Sequence, residues 1–235
     1  MLSLDERHWW YRGRRRVLNA VLERIAVPPR ARVLDAGCGS GRTLDDLARY
    51  GSVSGMELNP LGVAAAGARG HEVKEGRVEA IPYDDASFDL VTCLDVIEHT
   101  DDDVVSLREL RRVARPGARL VVTVPAHPRL WSRHDEVNGH RRRYTRRSLR
   151  EAATAAGWQV ERETGFNVAY LVPAALVRMM RRGGTDEAGA SELELTPPGL
   201  DSALELPLRI EAALVRRGID LPTGLSLLGV MSVVR

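Results

Sequence analysis

The sequence predicts one α/β domain built around a mostly parallel sheet with helices on both faces. Short apolar segments, typical of buried strands, alternate with segments whose apolar residues recur at helical spacing. Successive strand–helix–strand units of this kind form a parallel sheet. The length of 235 residues suits a single domain with a small cap, because most domains hold between ~50 and ~250 residues.

The elements of the first half follow from these patterns. An early helix carries Val17, Val21 and Ile25 on one stripe, and Pro28 and Pro29 end it. From there to residue 124, strands and helices alternate. The strands are predicted at 32–35, 52–57, 71–75, 88–94 and 119–124, and the helices at 43–50, 60–68 and 104–114.

The second half predicts helices at 145–156 and 204–217 and strands at 158–166 and 225–234. The stretch 183–199 is rich in Gly, Pro, Ser and acidic residues, which indicates a flexible segment. We therefore interpret 1–235 as a single domain. Residues 1–27 form an N-terminal helical lid in this interpretation, and 166–218 form a helical insertion.

Composition excludes several classes of protein. The net charge of +2 excludes a polycationic nucleic-acid tail, and two cysteines are too few for a disulfide framework or a four-cysteine zinc site. The first sixteen residues lack the apolar core of a secretory signal. The apolar run 166–180 is shorter than the ~20 residues of a membrane span. We expect a cytoplasmic protein, a monomer or a homodimer, with peripheral membrane contact left open.

A glycine-rich loop follows the first predicted strand, in Asp35-Ala-Gly37-Cys-Gly39-Ser-Gly41. Glycines let the backbone approach a ligand, and the next helix begins with free N–H groups. Glu57 ends the second strand, where a carboxylate can accept both hydroxyls of a ribose. Together these features favour an adenosine-containing cofactor over a tight turn that merely resembles such a site.

The spacing G-x-G-x-G differs from the G-x-G-x-x-G of dinucleotide sites, which disfavours a nucleotide-dependent oxidoreductase. Asp35 lies two residues before the first glycine, where a carboxylate suits an ammonium group and repels a pyrophosphate. This pattern favours a nucleoside that bears an amino acid, such as S-adenosylmethionine.

The segments VLDAGCGSGRTLDDLARYG, VSGMELNP and IPYDDASFDLVTCLDVIEHTDD resemble the class I S-adenosylmethionine-dependent methyltransferases. Within that family they are similar to the small-molecule branch that includes ubiquinone and menaquinone methyltransferases. The resemblance implies a Rossmann-like sheet in the order 3-2-1-4-5-7-6, with strand 7 antiparallel and a small helical cap. It implies S-adenosylmethionine as cofactor and S-adenosylhomocysteine as product. The cofactor residues that it implies, or that we infer beside it, are Tyr11, Asp35, Gly37, Cys38, Gly39, Gly41, Glu57, Leu58, Val78, Glu79, Leu94 and Asp95.

Each of these residues has an expected place. Asp35 would lie near the amino group of the cofactor, Glu57 would hold the ribose and Leu58 would pack on the adenine. Leu94 and Asp95 would close over the methionine end.

The resemblance departs from the usual pattern after the third strand. The family usually has Gly-Asp-Ala there, with the Asp on the adenine amino group, whereas this chain has Gly76-Arg77-Val78. Arg77 cannot accept a hydrogen bond from that amino group. We expect the backbone of Val78 and the side chain of Glu79 to serve instead.

Two aromatic and basic clusters remain. The first, 8–16, forms either a lid with Tyr11 across the pocket mouth or one wall of the domain. The second, 131–144, is either a substrate loop or a solvated basic loop. As a substrate loop it offers His134 as a base oriented by Asp135, and it offers His140, Arg142, Arg143 and Tyr144 to the acceptor. His134, Asp135 and His140 could also be metal ligands, but we expect no metal.

The sequence therefore predicts methyl transfer from S-adenosylmethionine to a small molecule that bears an acidic group, such as a specialised metabolite, a quinone or a lipid-linked precursor. Two alternatives stay open. One is an S-adenosylmethionine-binding enzyme or sensor with other chemistry, and the other is an RNA methyltransferase. No RNA-binding module is recognisable in the sequence, so nucleic acid is not the expected partner.

Overall fold

The computed structural model describes residues 8–181 and 201–233. Within them seven strands form one sheet in the order β3-β2-β1-β4-β5-β7-β6. The strands are β1 (Ala31–Ala36), β2 (Gly51–Glu57), β3 (Glu72–Glu75), β4 (Phe88–Leu94), β5 (Ala114–Pro125), β6 (Gln159–Phe166) and β7 (Ser226–Ser232). β7 pairs antiparallel with both β5 and β6, and the neighbouring pairs from β3 to β5 are parallel. The predicted strand order and the antiparallel strand 7 are both confirmed.

Eight α-helices accompany the sheet in the described ranges. They are α1 (Trp9–Leu22), α2 (Arg42–Leu47), α3 (Pro60–Ala68), α4 (Asp103–Val113), α5 (Arg133–Val137), α6 (Arg146–Ala155), α7 (Leu171–Arg181) and α8 (Asp201–Arg216). The stretch 183–199, predicted to be flexible, lies outside the described residues, as do residues 1–7 of the predicted lid. α7 and α8 lie within the range 166–218 that the sequence predicts as a helical insertion.

β5 and α5 differ most from the sequence prediction. β5 starts at Ala114, which the helical spacing assigned to the preceding helix, because Ala114 pairs with Phe88 of β4. The short helix α5 was not predicted. It begins with a capping box in which Ser132 and Asp135 bond each other's backbone, a reciprocal arrangement that stabilises even one turn.

The sheet buries a different apolar cluster on each face. Successive residues of a strand point to opposite faces, so Val91 and Val122 contribute to one cluster while Leu90 and Val121 contribute to the other. The first cluster includes apolar residues of α4 and α6, and the second includes those of α1 and α8. Burial of these side chains stabilises the fold by about 25 cal/mol for each Å² of apolar surface removed from water.

α1 is held against α8 by a buried carboxylate. Glu205 accepts hydrogen bonds from Nε of Arg12 (3.0 Å), Arg16 (2.6 Å) and Arg209 (3.2 Å). Burial alone raises the pKa of Glu205, but these guanidinium groups outweigh it and lower the pKa to about 2. Trp9 also packs on Tyr170, with ring centroids 5.0 Å apart. These contacts fix α1 beside the carboxyl ends of the central strands.

None of the helices in the described ranges combines the length and the apolar character that crossing a membrane requires.

Candidate active site

The glycine loop leaves β1 at the point where ligands bind in open parallel sheets. Gly37 has a φ of +86°, and a Cβ there would lie 2.3 Å from Cγ2 of Val96, so only glycine fits. Gly39 also has a positive φ, +53°, but a Cβ there would meet no atom within 4 Å. The backbone at Gly39 therefore faces open space, as a surface for a ligand requires.

Asp35 lies buried beneath this loop. Its Oδ1 accepts a hydrogen bond of 2.6 Å from Oγ1 of Thr92 on β4. Within the described residues, no arginine, lysine or histidine forms an ion pair with it. Burial raises the pKa of Asp35 to about 7, although the bond from Thr92 lowers it, and the charge of Glu57 raises it further. The carboxylate is thus short of a positive partner, which a ligand ammonium would supply.

Glu57 is locked at the end of β2 by backbone donors. Its Oε2 accepts from the N–H of Gly39 at 2.8 Å, and its Oε1 accepts from the N–H of Asn59 at 2.9 Å. Gly62 leaves room for the side chain, because a Cβ there would lie 2.7 Å from Cγ of Glu57. A carboxylate has about four lone-pair sites, so each oxygen keeps one for a hydroxyl donor.

A cavity of about 200 Å³ opens beside the loop. Its walls come from α1, the glycine loop, the start of α2 and the strand ends of β4 to β7. Of the predicted cofactor residues, the cavity is lined by Tyr11, Asp35, Gly37, Cys38, Gly39, Leu94 and Asp95. The structure thus brings the helix of the predicted lid and the glycine loop to one space.

Charged groups of α1 reach into this cavity. Arg14 forms an ion pair with Asp95, which also accepts a hydrogen bond of 3.0 Å from Oγ1 of Thr123. Arg15 lies 3.5 Å from Oδ2 of Asp46. Both arginines line the cavity, and each is paired there with a carboxylate of the protein.

The remaining predicted cofactor residues lie outside the lining of the cavity. Gly41 caps the start of α2, and Leu58 is exposed after β2. Val78 is buried after β3, and Glu79 lies 3.6 Å from Arg77 in an ion pair. The residues predicted for the adenine thus stay predictions.

The predicted substrate loop is held together by Asp135, which is buried. Its Oδ1 accepts from Nε of Arg143 at 2.7 Å and from Nδ1 of His140 at 2.9 Å, and its Oδ2 accepts from the N–H of Ser132 at 2.9 Å. Burial raises the pKa of Asp135, but these donors outweigh it and hold the pKa below its ordinary value. The structure thus shows Asp135 orienting His140, whereas the sequence predicts that it orients His134.

Three predicted substrate residues bond to the protein itself. Arg143 is buried and also donates to the carbonyl of Ala126 at 3.0 Å. Arg142 donates to the carbonyls of Thr100 and Asp101 at 2.9 and 2.6 Å. Tyr144 is buried and donates to Oδ2 of Asp103 at 2.8 Å. The bonds of Arg142 and Tyr144 attach the loop to the segment after β4, and the bond of Arg143 attaches it to the end of β5.

Glu98, His99 and His140 meet beyond β4. One possible ligand atom from each lies within 4.8 Å of the others. Glu98 is buried, and burial raises its pKa to about 8, against the lowering effect of Arg14 and Arg143. His134 lies farther out, with its ring centroid 6.4 Å from that of His140. The histidine-containing cluster therefore differs from the set His134, Asp135 and His140 that sequence proximity suggests.

Sequence reasoning missed several residues of the site. Thr92 and Thr123 belong to buried strands, where an apolar pattern predicts only packing, and Glu98 lies in a short 3-10 helix after β4. The sequence analysis covers Arg14 only as one of several arginines in the cluster 8–16. A polar residue inside an otherwise apolar strand is the signal that marks Thr92 and Thr123, because a buried hydroxyl needs a partner.

Residues 34–122, from β1 into β5, match the family model of a methyltransferase domain. A Mycolicibacterium smegmatis protein (strain ATCC 700084 / mc(2)155) named "Probable S-adenosylmethionine-dependent methyltransferase" is 32% identical over 170 residues. That match covers 69% of this chain and 64% of the relative. A ubiquinone biosynthesis O-methyltransferase of Hahella chejuensis is 35% identical over 111 residues, which are 44% of this chain and 46% of the relative. The chain thus spans less than two thirds of the length of these curated relatives.

A solved structure shows the same fold over nearly the whole chain. It is a chain of the "Complex between the Haloferax volcanii Trm112 methyltransferase activator and the putative methyltransferase". The TM-score is 0.64 at 20% identity, and the match covers 99% of this chain and 93% of that one.

Proposed function

We propose that the chain is a class I S-adenosylmethionine-dependent methyltransferase and that the whole protein transfers a methyl group from S-adenosylmethionine to a small-molecule acceptor. The observation that carries this proposal is the pair of carboxylates around the glycine loop. Asp35 is buried without a cation, and Glu57 is locked with spare lone pairs. The residues present therefore fit a nucleoside that bears an ammonium group.

Asp35 would receive the ammonium group, and Glu57 would accept hydrogen bonds from the ribose hydroxyls. Leu58, the backbone of Val78 and Glu79 would take the adenine. The bound cofactor supplies a sulfonium methyl, an electrophile that needs no activation by the protein.

The task of the protein is then alignment and exclusion of water. The acceptor atom must approach the methyl group in line with the bond from the methyl carbon to sulfur, and holding that geometry can lower the barrier by about 7–11 kcal/mol. Tyr11, Leu94 and Phe166 line the cavity and would exclude water from it.

The acidic group of the acceptor needs a positive partner. Arg142 and Arg143 are predicted for this role, but both are engaged by carbonyls or carboxylates of the protein. Arg14 and Arg15 line the cavity but pair with Asp95 and Asp46, so the acidic group of the acceptor and its partner stay predictions. His134 as the base stays a prediction, and a His134→Ala variant would test it through the pH profile of turnover.

Three further expectations stay predictions. They are a monomer or homodimer, a cytoplasmic location and a peripheral membrane contact. Exposed apolar side chains on α7 and α8, among them Val172, Leu176 and Ile210, favour the membrane contact.

The experiment that tests the function is a calorimetric titration with S-adenosylhomocysteine, S-adenosylmethionine and NAD. We expect both sulfur nucleosides to bind one to one and NAD not to bind. Glu57→Ala removes two charged hydrogen bonds to the ribose, which are worth about 1.5–3 kcal/mol each, so we expect affinity to fall by about 150-fold or more. Glu72→Ala is the matched control. It removes an exposed carboxylate at the start of β3, whereas Glu57 pairs with the end of β3, so this variant should bind normally.

Binding of NAD in place of the sulfur nucleosides would overturn the proposal. Binding followed by no formation of S-adenosylhomocysteine, with every acceptor offered, would favour the alternative of a cofactor-binding enzyme or sensor with other chemistry. An RNA methyltransferase would instead bind RNA with affinity that falls steeply as salt rises.

A further inference from the structure

The turn that leaves β3 is anchored beside Glu57. The N–H of Gly76 donates to the carbonyl of Glu57 at 3.1 Å, which ties the start of the turn to the end of β2. A Cβ on Gly76 would lie 2.8 Å from Cδ of Pro82, so the chain after the turn packs back against its start. Residues 77–80, which we call the 77–80 turn, therefore lie next to the residue that we propose for the ribose.

Ile81, which follows the 77–80 turn, is held on both sides by α4. Its N–H donates to Oε2 of Glu109 at 3.0 Å, and its carbonyl accepts from Nη2 of Arg112 at 2.8 Å. Ile81 is buried, so water does not take the place of either partner. The peptide groups before and after Ile81 are thus fixed by one helix, and with them the end of the 77–80 turn.

Arg112 makes as many hydrogen bonds as it has N–H groups. Besides the bond to Ile81, its Nη1 donates to the carbonyl of Tyr83 at 2.9 Å and to Oδ1 of Asp85 at 2.7 Å. Its Nε and Nη2 donate to the two carboxylate oxygens of Glu109 at 2.9 Å each. These bonds lower the pKa of Glu109, although burial raises it, so the pair stays charged. A guanidinium offers its five donors in a rigid plane, so a single orientation of Arg112 meets all of these acceptors.

Arg77 leaves the 77–80 turn without a side-chain acceptor at its first position. Its side chain is exposed and lies 3.6 Å from Glu79 in an ion pair. A purine base beside the turn must then be recognised by Glu79 and by peptide groups. A side chain can rotate towards a ligand, whereas a peptide group points where the chain directs it. Recognition of this kind therefore depends on whatever fixes the chain on either side of the turn.

We propose that Arg112 and Glu109 are positioning residues for the base of the cofactor. They act through Ile81 rather than by contact with the nucleoside, and they hold the 77–80 turn in the shape that distinguishes adenine from other purines. This role rests on the proposed function, because the nucleoside of that proposal is the ligand. The attachment of the turn to α4 does not rest on it.

The test compares S-adenosylhomocysteine with S-inosylhomocysteine by calorimetric titration of the full chain. The inosine base carries a carbonyl where adenine has its amino group, so a turn that reads adenine binds it less well. We expect the parent chain to prefer the adenosine compound by about tenfold, the effect of one hydrogen bond. Arg112→Lys keeps the charge but loses the planar fork, so the preference should fall to about twofold or less. Glu109→Gln keeps an acceptor for the N–H of Ile81 and should lie between the two.

Arg115→Lys is the matched control. The side chain of Arg115 is 37% exposed, against 30% for Arg112, and it donates to the carbonyl of Ala86 and to Asp89 near the start of β4. This variant also loses an arginine that binds a carbonyl and a carboxylate, but it leaves Ile81 held. It should therefore keep the preference of the parent chain, even if it unfolds at a lower temperature.

Amide hydrogen exchange without any ligand gives a second readout. Exchange of residues 77–81 should accelerate in Arg112→Lys and stay unchanged in Arg115→Lys. The same preference in Arg112→Lys as in the parent chain would overturn the proposal, and so would unchanged exchange of the turn or an equal loss of preference in Arg115→Lys. A parent chain that binds neither nucleoside refutes the proposed function, while the exchange experiment still measures whether Arg112 holds the turn.

Discussion

Replacing Asp35 by asparagine should stabilise the protein when no ligand is bound. Burial raises the pKa of Asp35 from 3.8 to about 7 in the folded chain, so the folded state holds the proton more tightly than the unfolded state. Stability therefore falls as pH rises from about 4 to about 7 and stays low above that. At 1.36 kcal/mol for each unit, ionisation of Asp35 costs about 4 kcal/mol at pH 8. About 3 kcal/mol of that cost develops between pH 5 and pH 8.

The assay is thermal unfolding of both chains from pH 5 to pH 8. In a chain of this size, 1 kcal/mol changes Tm by about 2–4 °C, so Asp35→Asn should gain about 6 °C or more relative to the parent over that interval. Asn keeps an oxygen that can accept the hydrogen bond from Thr92. Asp84→Asn, a change at an exposed carboxylate, should show a difference that does not vary with pH. A constant or shrinking difference for Asp35→Asn would refute the reasoning.

The same substitution should abolish an effect of pH on ligand binding. A ligand ammonium beside Asp35 favours the ionised carboxylate, so S-adenosylhomocysteine should release protons when it binds the parent chain near pH 6–7. Calorimetry in buffers of different ionisation enthalpy measures that release. Asp35→Asn should bind more weakly and release none through this group.

Three other substitutions test features of the fold and the site. Gly37→Ala places a methyl group against Val96 at a positive φ and should cost about 2 kcal/mol or more in a urea unfolding curve, whereas unchanged stability would contradict the clash. Asp135→Asn leaves the buried Arg143 without its charge partner and should cost about 3–5 kcal/mol in the same assay. A loss below 1 kcal/mol would show that the loop does not depend on this pair. Glu205→Gln weakens the attachment of α1 to α8, so amide hydrogen exchange should accelerate in α1 and stay unchanged in α4. If α1 exchanged at the same rate in the variant and in the parent chain, Glu205 would not be what holds α1.

More of the fold than of the candidate site could be predicted from the sequence. Buried parallel strands such as Phe88–Leu94 are continuous apolar runs bounded by polar turns, so their positions are local properties of the chain. The glycine loop and Glu57 are also local, since the loop and the strand end follow directly from the motif. The strand order came from the resemblance to a family, because pairing between distant strands leaves no local pattern.

Side-chain roles beyond the glycine loop depend on contacts between distant segments. Glu98 and His140 are separated by some forty residues, and only the folded chain brings them together. Asp135, next to His134 in sequence, turns its carboxylate towards His140 and Arg143 because those donors allow it to be buried. Sequence proximity predicts that Asp135 orients His134, whereas in the folded chain Asp135 orients His140.

The place of β7 in the sheet has a consequence for how the protein is made. β7 is the last strand in chain order, yet it lies between β5 and β6 and pairs with both. During synthesis the ribosome releases β1 to β5 first, and these strands can pair at once. β6 has no sheet partner until β7 emerges, some sixty residues later, so both β5 and β6 present unpaired edges in the meantime. The nascent chain is therefore most exposed to aggregation at that stage, when β1 to β5 are already paired.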